Sequence, residues 1–186
     1  KVHEATIPTS AHKVLGATYA DFLNEKTILS TALSLELAND HPVAQAVASH
    51  ALANGATRKE VVEFTQTPGA GVAGRVLLGA ISPVVLIGTP KAIAHSATTF
   101  DAKIEEAIAR AENLGYSVSV LAWDGVAIAV FATGDQLKAD AQLTISTLTA
   151  MGITPWLVTG DNEESAGAIA RAVGIKGEHV IARALP

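Results

Sequence analysis

The chain has 186 residues, 49% apolar, 4% aromatic and 17% charged, with 18 acidic against 13 basic side chains for a net charge of −5. That size fits one large domain or two small ones with a real core, and the acidic balance argues against a nucleic-acid backbone or an anionic membrane surface as partner. Cysteine is absent, which excludes disulfides, a thiolate metal site and a thiol nucleophile.

A mean hydropathy of +0.33 raises the question of membrane spans. The two most apolar stretches are Val72–Thr89, interrupted by Arg75 and Pro83, and Val118–Thr133, interrupted by Asp124-Gly125. Neither offers the roughly 18 clean apolar residues that a spanning helix needs. The opening Lys-Val-His-Glu is not followed by the apolar run of a signal peptide. Both ends read as cut, so the expectation is a piece of something longer.

In chain order, Thr27–Leu37 carries apolar residues at helical spacing. Asn39-Asp40-His41-Pro42 stops that helix, and Pro42 opens the next, Val43–Ala53, with Asp40 or His41 near its N-cap and Asn54-Gly55 at its end. Val61, Val62 and Phe64 lead into a glycine turn at Pro68–Gly71, followed by strand-like Val72–Leu78 and Pro83–Ile87. Asp101–Leu114 reads as a helix, and Val118–Trp123 and Val126–Phe131 flank the hairpin dipeptide Asp124-Gly125. After residue 132 the texture changes. Gln136–Met151 reads as a helix, Ile153–Val158 as a strand buried on both faces, Glu163–Val173 as a helix and Val180–Ala182 as a further parallel strand. The first two-thirds therefore predict an antiparallel α+β unit, the last third a doubly wound α/β piece.

Three places invite chemistry. Gly69-Ala70-Gly71-Val72-Ala73-Gly74 is a literal G-x-G-x-x-G, but strand-like residues follow it and residues 79–100 hold no Asp or Glu, so the dinucleotide context is missing. It reads instead as a glycine turn that also lets a flat ligand approach the backbone. His41, five residues after Glu36, sits where an imidazole serves either as a cap or as a stacking partner for a base. Thr159-Gly160-Asp161 lies where a parallel strand gives way to a helix, a place suited to phosphate or, more simply, to a helix cap. The six histidines are scattered without metal-ligand spacing.

Jointly, Glu36…His41-Pro42, Gly69-x-Gly71, and Thr159-Gly160-Asp161-Asn162 with Ile169-Ala170…Val173-Gly174-Ile175 resemble the cytosolic ATP-binding region of heavy-metal-transporting P-type ATPases. The resemblance spans nearly the whole chain, and the segment around His41-Pro42 is most similar to copper pumps. It implies an antiparallel-sheet nucleotide-binding domain over residues 1–132. Residues 133–186 would then be part of a haloacid dehalogenase-like phosphorylation domain, entered at Gly134-Asp135-Gln136-Leu137-Lys138. By the same resemblance, Glu36, His41, Gly69 and Gly71 surround adenine. A further contact in the family is an Asn after a strand-ending Gly; the matching place reads Gly88-Thr89, where Thr89 keeps a hydroxyl. Asp135, Lys138, Thr159, Gly160 and Asp161 would serve the phosphate and hinge side.

The implied ligand is ATP, with Mg in the complete parent. The implied partner is the rest of the pump with its membrane domain, which places the region at the cytoplasmic face of a membrane. The family transfers phosphoryl to the Asp of an Asp-Lys-Thr-Gly motif, which these residues do not contain, so the expectation is a chain that binds ATP without forming the phosphoenzyme. A soluble haloacid dehalogenase-like phosphatase and a non-catalytic interaction module are the alternatives.

Overall fold

The computed structural model describes residues 1–6, 19, 22–96, 99–134, 137–160 and 163–184. They fall into two compact units, one made of Lys1–Arg110 with Ser117–Gly134, the other of Ala111–Tyr116 with Asp135–Pro186.

The first unit is a six-stranded antiparallel sheet with helices. In chain order it runs β1 (Val2–Thr6), α1 (Glu25–Glu36), α2 (Pro42–Ala53), β2 (Val61–Thr67), β3 (Gly71–Val76), β4 (Val84–Gly88), α3 (Pro90–His95), α4 (Ala102–Asn113), β5 (Ser117–Trp123) and β6 (Val126–Thr133), α4 running on into the second unit. The sheet order is β1-β6-β5-β4-β3-β2, every pairing antiparallel. Hairpin chemistry sets much of this order. Asp124 and Gly125 both take positive φ (42° and 78°), the geometry of a tight two-residue turn, and join β5 to β6. Strands β5 and β6 are buried on both faces over most of their length, which accounts for their unbroken apolar sequence. In β3 only alternate residues, Val72, Gly74 and Val76, are buried.

Helices α1 and α2 pack on each other and their apolar faces join the main core: Leu29, Leu33, Val47 and Ala51 lie with Ile87, Leu121, Trp123 and Phe131. The buried polar residues of α1 have a structural use. Ser30 Oγ and Ser34 Oγ donate to the carbonyls of Lys26 and Ser30, and accept from Thr57 N (3.0 Å) and Lys59 N (2.7 Å). They tie the connection into β2 to the helix and satisfy both buried hydroxyls. Two elements were not foreseen from the pattern. Strand β1 is short and half-polar, and α3 begins at Pro90 behind the Thr89 N-cap, whose Oγ1 accepts from Ala92 N at 3.3 Å.

The second unit holds α5 (Ala141–Ala150), β7 (Leu157–Val158), α6 (Glu163–Val173), a 3-10 turn (Gly177–His179) and β8 (Val180–Ile181). Strands β7 and β8 pair in parallel, as expected of a doubly wound piece. The expectation of a strand over Ile153–Val158 buried on both faces is corrected. Only Leu157–Val158 is a strand, and Ile153, Trp156 and Val158 are exposed. The reason is the width of the sheet. With one partner strand, Leu157 and Val180 turn into a small core with Ala170, Val173, Ile175, Ala141 and Ile145, while the opposite face has nothing on it among the described residues. The helix expected over Gln136–Met151 is likewise shorter, starting at Ala141 behind an N-cap at Asp140. No helix among the described residues is long and apolar enough to cross a membrane.

Candidate nucleotide site

Glu36, His41, Gly69, Gly71 and Thr89 come from distant stretches of sequence, and the first unit brings all five to one hollow of about 560 Å³. Each arrives for a local reason. Glu36 is the last residue of α1, buried (5% exposed) yet lining the cavity. His41 is the N-cap of α2. Its Nδ1 accepts from Val43 N at 3.3 Å, so the neutral ring carries its proton on Nε2 and the exposed imidazole is held at the rim.

Gly69 turns the chain at φ 74°, in the left-handed region. Gly71 begins β3 at φ 150° and faces Gly88 across the β3–β4 ladder, so close that a Cβ on Gly71 would stand 2.2 Å from the Ile87 carbonyl oxygen. Thr89 is held by its own N–H, which donates to Ala70 O at 2.9 Å. The G-x-G-x-x-G run therefore opens a strand, in agreement with setting the dinucleotide fingerprint aside.

Sequence reasoning missed several lining residues. Asn39 Nδ2 donates to Glu36 Oε2 at 3.0 Å, while Asn39 Oδ1 accepts from His41 N at 3.1 Å and from Gln66 Nε2 at 3.5 Å. Asn39 thus links the acid, the histidine and β2. Its place three residues after Glu36, one helical turn on, was the available signal. Ser117, Val118 and Ser119 of β5 also line the hollow; no sequence signal pointed to them, because only the pairing of β5 with β4 brings them there.

Burial pushes the Glu36 carboxyl up to about 7, opposed by the hydrogen bond from Asn39. The cavity has the size of a small-molecule site. Glycine backbone, Ile87 and Val118 give it flat apolar wall, and Glu36, Asn39, Gln66 and the serines supply hydrogen-bonding groups. An adjoining hollow of about 570 Å³ shares Gly69, Gly71 and Thr89 and adds Lys91 and His95.

The remaining expected residues lie in the second unit. Thr159 follows β7, its N–H donating to Ile181 O at 3.0 Å and its carbonyl accepting from Ala184 N at 2.9 Å; Gly160 comes next. Lys138 is exposed ahead of α5. Asp135 and Asp161 lie outside the described residues. Among the described residues no group of three or more His, Asp or Glu could hold a metal ion.

An antiparallel α+β unit with this hollow, followed by a parallel α/β unit, agrees with the family whose model matches residues 4–184: the chain belongs to the haloacid dehalogenase-like hydrolases. Within that family it is similar to metal pumps. The probable copper-importing P-type ATPase A of Enterococcus hirae is 35% identical over 166 residues, 89% of this chain and 22% of the relative. The copper-exporting P-type ATPase of Mycobacterium tuberculosis is 34% identical over 182 residues, 97% of this chain and 22% of the relative. A crystal structure of a zinc-transporting PIB-type ATPase in its E2.Pi state superposes with a TM-score of 0.79 at 26% identity, covering 100% of this chain and 27% of that one. The chain thus spans about a fifth of the length of the curated relatives it matches.

Proposed function

We propose that this chain is the ATP-binding region of a heavy-metal-transporting P-type ATPase, similar to the copper pumps. Residues 1–132 act as the nucleotide-binding domain and residues 133–186 as part of the phosphorylation domain. The observation that carries the reading is the convergence of Glu36, His41, Gly69, Gly71 and Thr89 on one cavity. A purine fits its chemistry: the glycine turn and Ile87 accept a flat face, the exposed His41 ring stacks from the rim, and Glu36 and Asn39 meet the polar edge of the base. By the resemblance, the phosphate and hinge side falls to Asp135, Lys138, Thr159, Gly160 and Asp161, with magnesium accompanying the nucleotide in the full pump.

In the full pump, ATP hydrolysis through an aspartyl-phosphate would drive a metal cation through a membrane part, and this region would work at the cytoplasmic face. The 186 residues contain no Asp-Lys-Thr-Gly, so the chain by itself binds ATP without turnover.

Calorimetry or backbone NMR with ATP, AMP and GTP, on the native chain and on His41→Gln, tests this. The expected result is shifts at residues 36–41 and 69–71, comparable binding of AMP, poor binding of GTP, and weaker binding by the variant. A folded protein that binds no nucleotide at millimolar concentration overturns the reading and favours an interaction module.

A further inference from the structure

Glu36 is the one carboxyl group buried in the hollow, and its surroundings determine how it is used. Oε2 accepts from Asn39 Nδ2, and no other hydrogen bond or ion pair involves the Glu36 carboxyl among the described residues. The Asn39 amide is oriented independently, since its oxygen already accepts the N–H of His41 and the amide of Gln66. The nitrogen is therefore the end turned to Glu36. A buried carboxyl with one neutral donor and no cation favours the neutral acid. In that acid Oε2, taking the N–H, is the carbonyl-type oxygen, and the proton resides on Oε1.

We propose that Glu36 reads the base of a bound nucleotide as a neutral carboxylic acid, Oε1–H donating to a ring nitrogen and Oε2 accepting from the exocyclic amine, and so selects 6-aminopurines over 6-oxopurines. This rests on the nucleotide reading above. Adenine presents an acceptor, N1, beside a donor, the 6-amino group; hypoxanthine presents N1–H beside O6, the reverse. A carboxylic acid is donor and acceptor at once and would serve either base if its proton were free to change oxygens. Asn39 removes that freedom. In the adenine pose, hypoxanthine would set N1–H against Oε1–H and O6 against Oε2. Ionised Glu36 would instead accept the N1–H of hypoxanthine, so selectivity is lost on deprotonation. The acid's pKa of about 7 places that loss near neutral pH. Asp40 and His41 are the other titratable groups lining the hollow; β2, β4 and β5 line it with Gln66, Thr67, Gly88, Ser117 and Ser119, none of which titrates. Lys91 and His95 line the adjoining hollow.

The experiment measures ATP and ITP affinity by calorimetry from about pH 5.5 to 8.5. It also follows the Glu36 carboxyl carbon by 13C NMR in the free chain. The two nucleotides carry the same triphosphate, so their affinity ratio cancels its titration and that of groups acting on the phosphates. The expected ATP:ITP ratio falls at least about tenfold between about pH 6 and pH 8, since the neutral fraction of an acid of pKa about 7 falls about tenfold over that range while the ionised fraction rises. In Glu36→Gln the amide reproduces the donor–acceptor order of the neutral acid, so ATP binding persists and the ratio stays high and flat. Asn39→Ala lowers the ratio below about pH 7, where Glu36 is neutral and its proton is no longer held on one oxygen. A flat ratio in the native chain, or a Glu36 carbon that titrates in the ordinary carboxylate range, overturns this inference while leaving nucleotide binding standing. Absence of any binding at all pH values overturns both.

Discussion

Gly71 and Gly88 stand opposite each other in the β3–β4 ladder, each occupying space that a side chain on the other strand's backbone would need. A Cβ on Gly88 would lie 2.2 Å from Ala70 O, and one on Gly71 2.6 Å from the Gly88 Cα. The contact closes one wall of the hollow and places Thr89 beside the glycine turn. Gly88→Ala is therefore expected to cost about 2 kcal/mol, since backbone rather than a flexible side chain must give way. It should also displace resonances of residues 67–72 and 87–89. Urea unfolding with an NMR fingerprint checks both. A variant as stable as the native chain would contradict the close approach.

Glu36 sets a pH dependence of stability whose sign follows from its raised pKa. Below the ordinary value of 4.5 the carboxyl is neutral in both folded and unfolded chain, and no penalty arises. As pH rises from there the unfolded chain loses its proton first, so stability falls until the folded pKa of about 7 is passed. The full loss is about 3 kcal/mol. Glu36→Gln should remove the decline and be the more stable protein at pH 8, by up to about that amount. Denaturation midpoints across this pH range test it. A native chain whose Glu36-dependent stability rises over the same interval would refute it.

His41 is exposed and contributes one cap acceptor, at 3.3 Å from Val43 N. Its replacement by Gln should leave stability within about 1 kcal/mol of native while weakening ATP binding through loss of the stacking ring. Thermal unfolding and calorimetry on the same preparation separate these effects. A large loss of stability would make the cap, not the ligand, its main role.

In the second unit Val158 and Ile181 are paired in register and are 60% and 47% exposed, with Trp156 nearby in sequence at 55%. A two-stranded parallel sheet with one bare apolar face is open to further pairing. Residues 141–181 are expected to exchange amide protons faster than β5 and β6, or the chain to associate at high concentration. Val158→Lys with Ile181→Glu should reduce any association seen by sedimentation. Uniformly slow exchange in a strict monomer would refute the expectation.

Most of the element order was legible because the physics behind it is local. Asn39–Pro42 cannot continue α1, Pro42 has a φ suited to a helix start, and Asp124-Gly125 accepts the positive φ of a hairpin. The resemblance named Glu36, His41, Gly69, Gly71 and Thr89 together, and the fold places all five around one hollow.

Other features depended on neighbours that no local pattern contains. Ile153–Val158 has the composition of a doubly buried strand, yet burial requires layers on both faces, and the β7–β8 pair has one. Ser119 reaches the hollow because β5 lies beside β4. The use of Glu36 was likewise decided in three dimensions. Its sequence position names a carboxyl, but burial in the folded chain pushes that carboxyl up to about 7, against the opposing hydrogen bond from Asn39. Residue types and spacing settled most of the element order, because turns, caps and hydrophobic periods act over a few residues. The tertiary structure decided the protonation and access of the groups that would do the binding, because these depend on what packs around them.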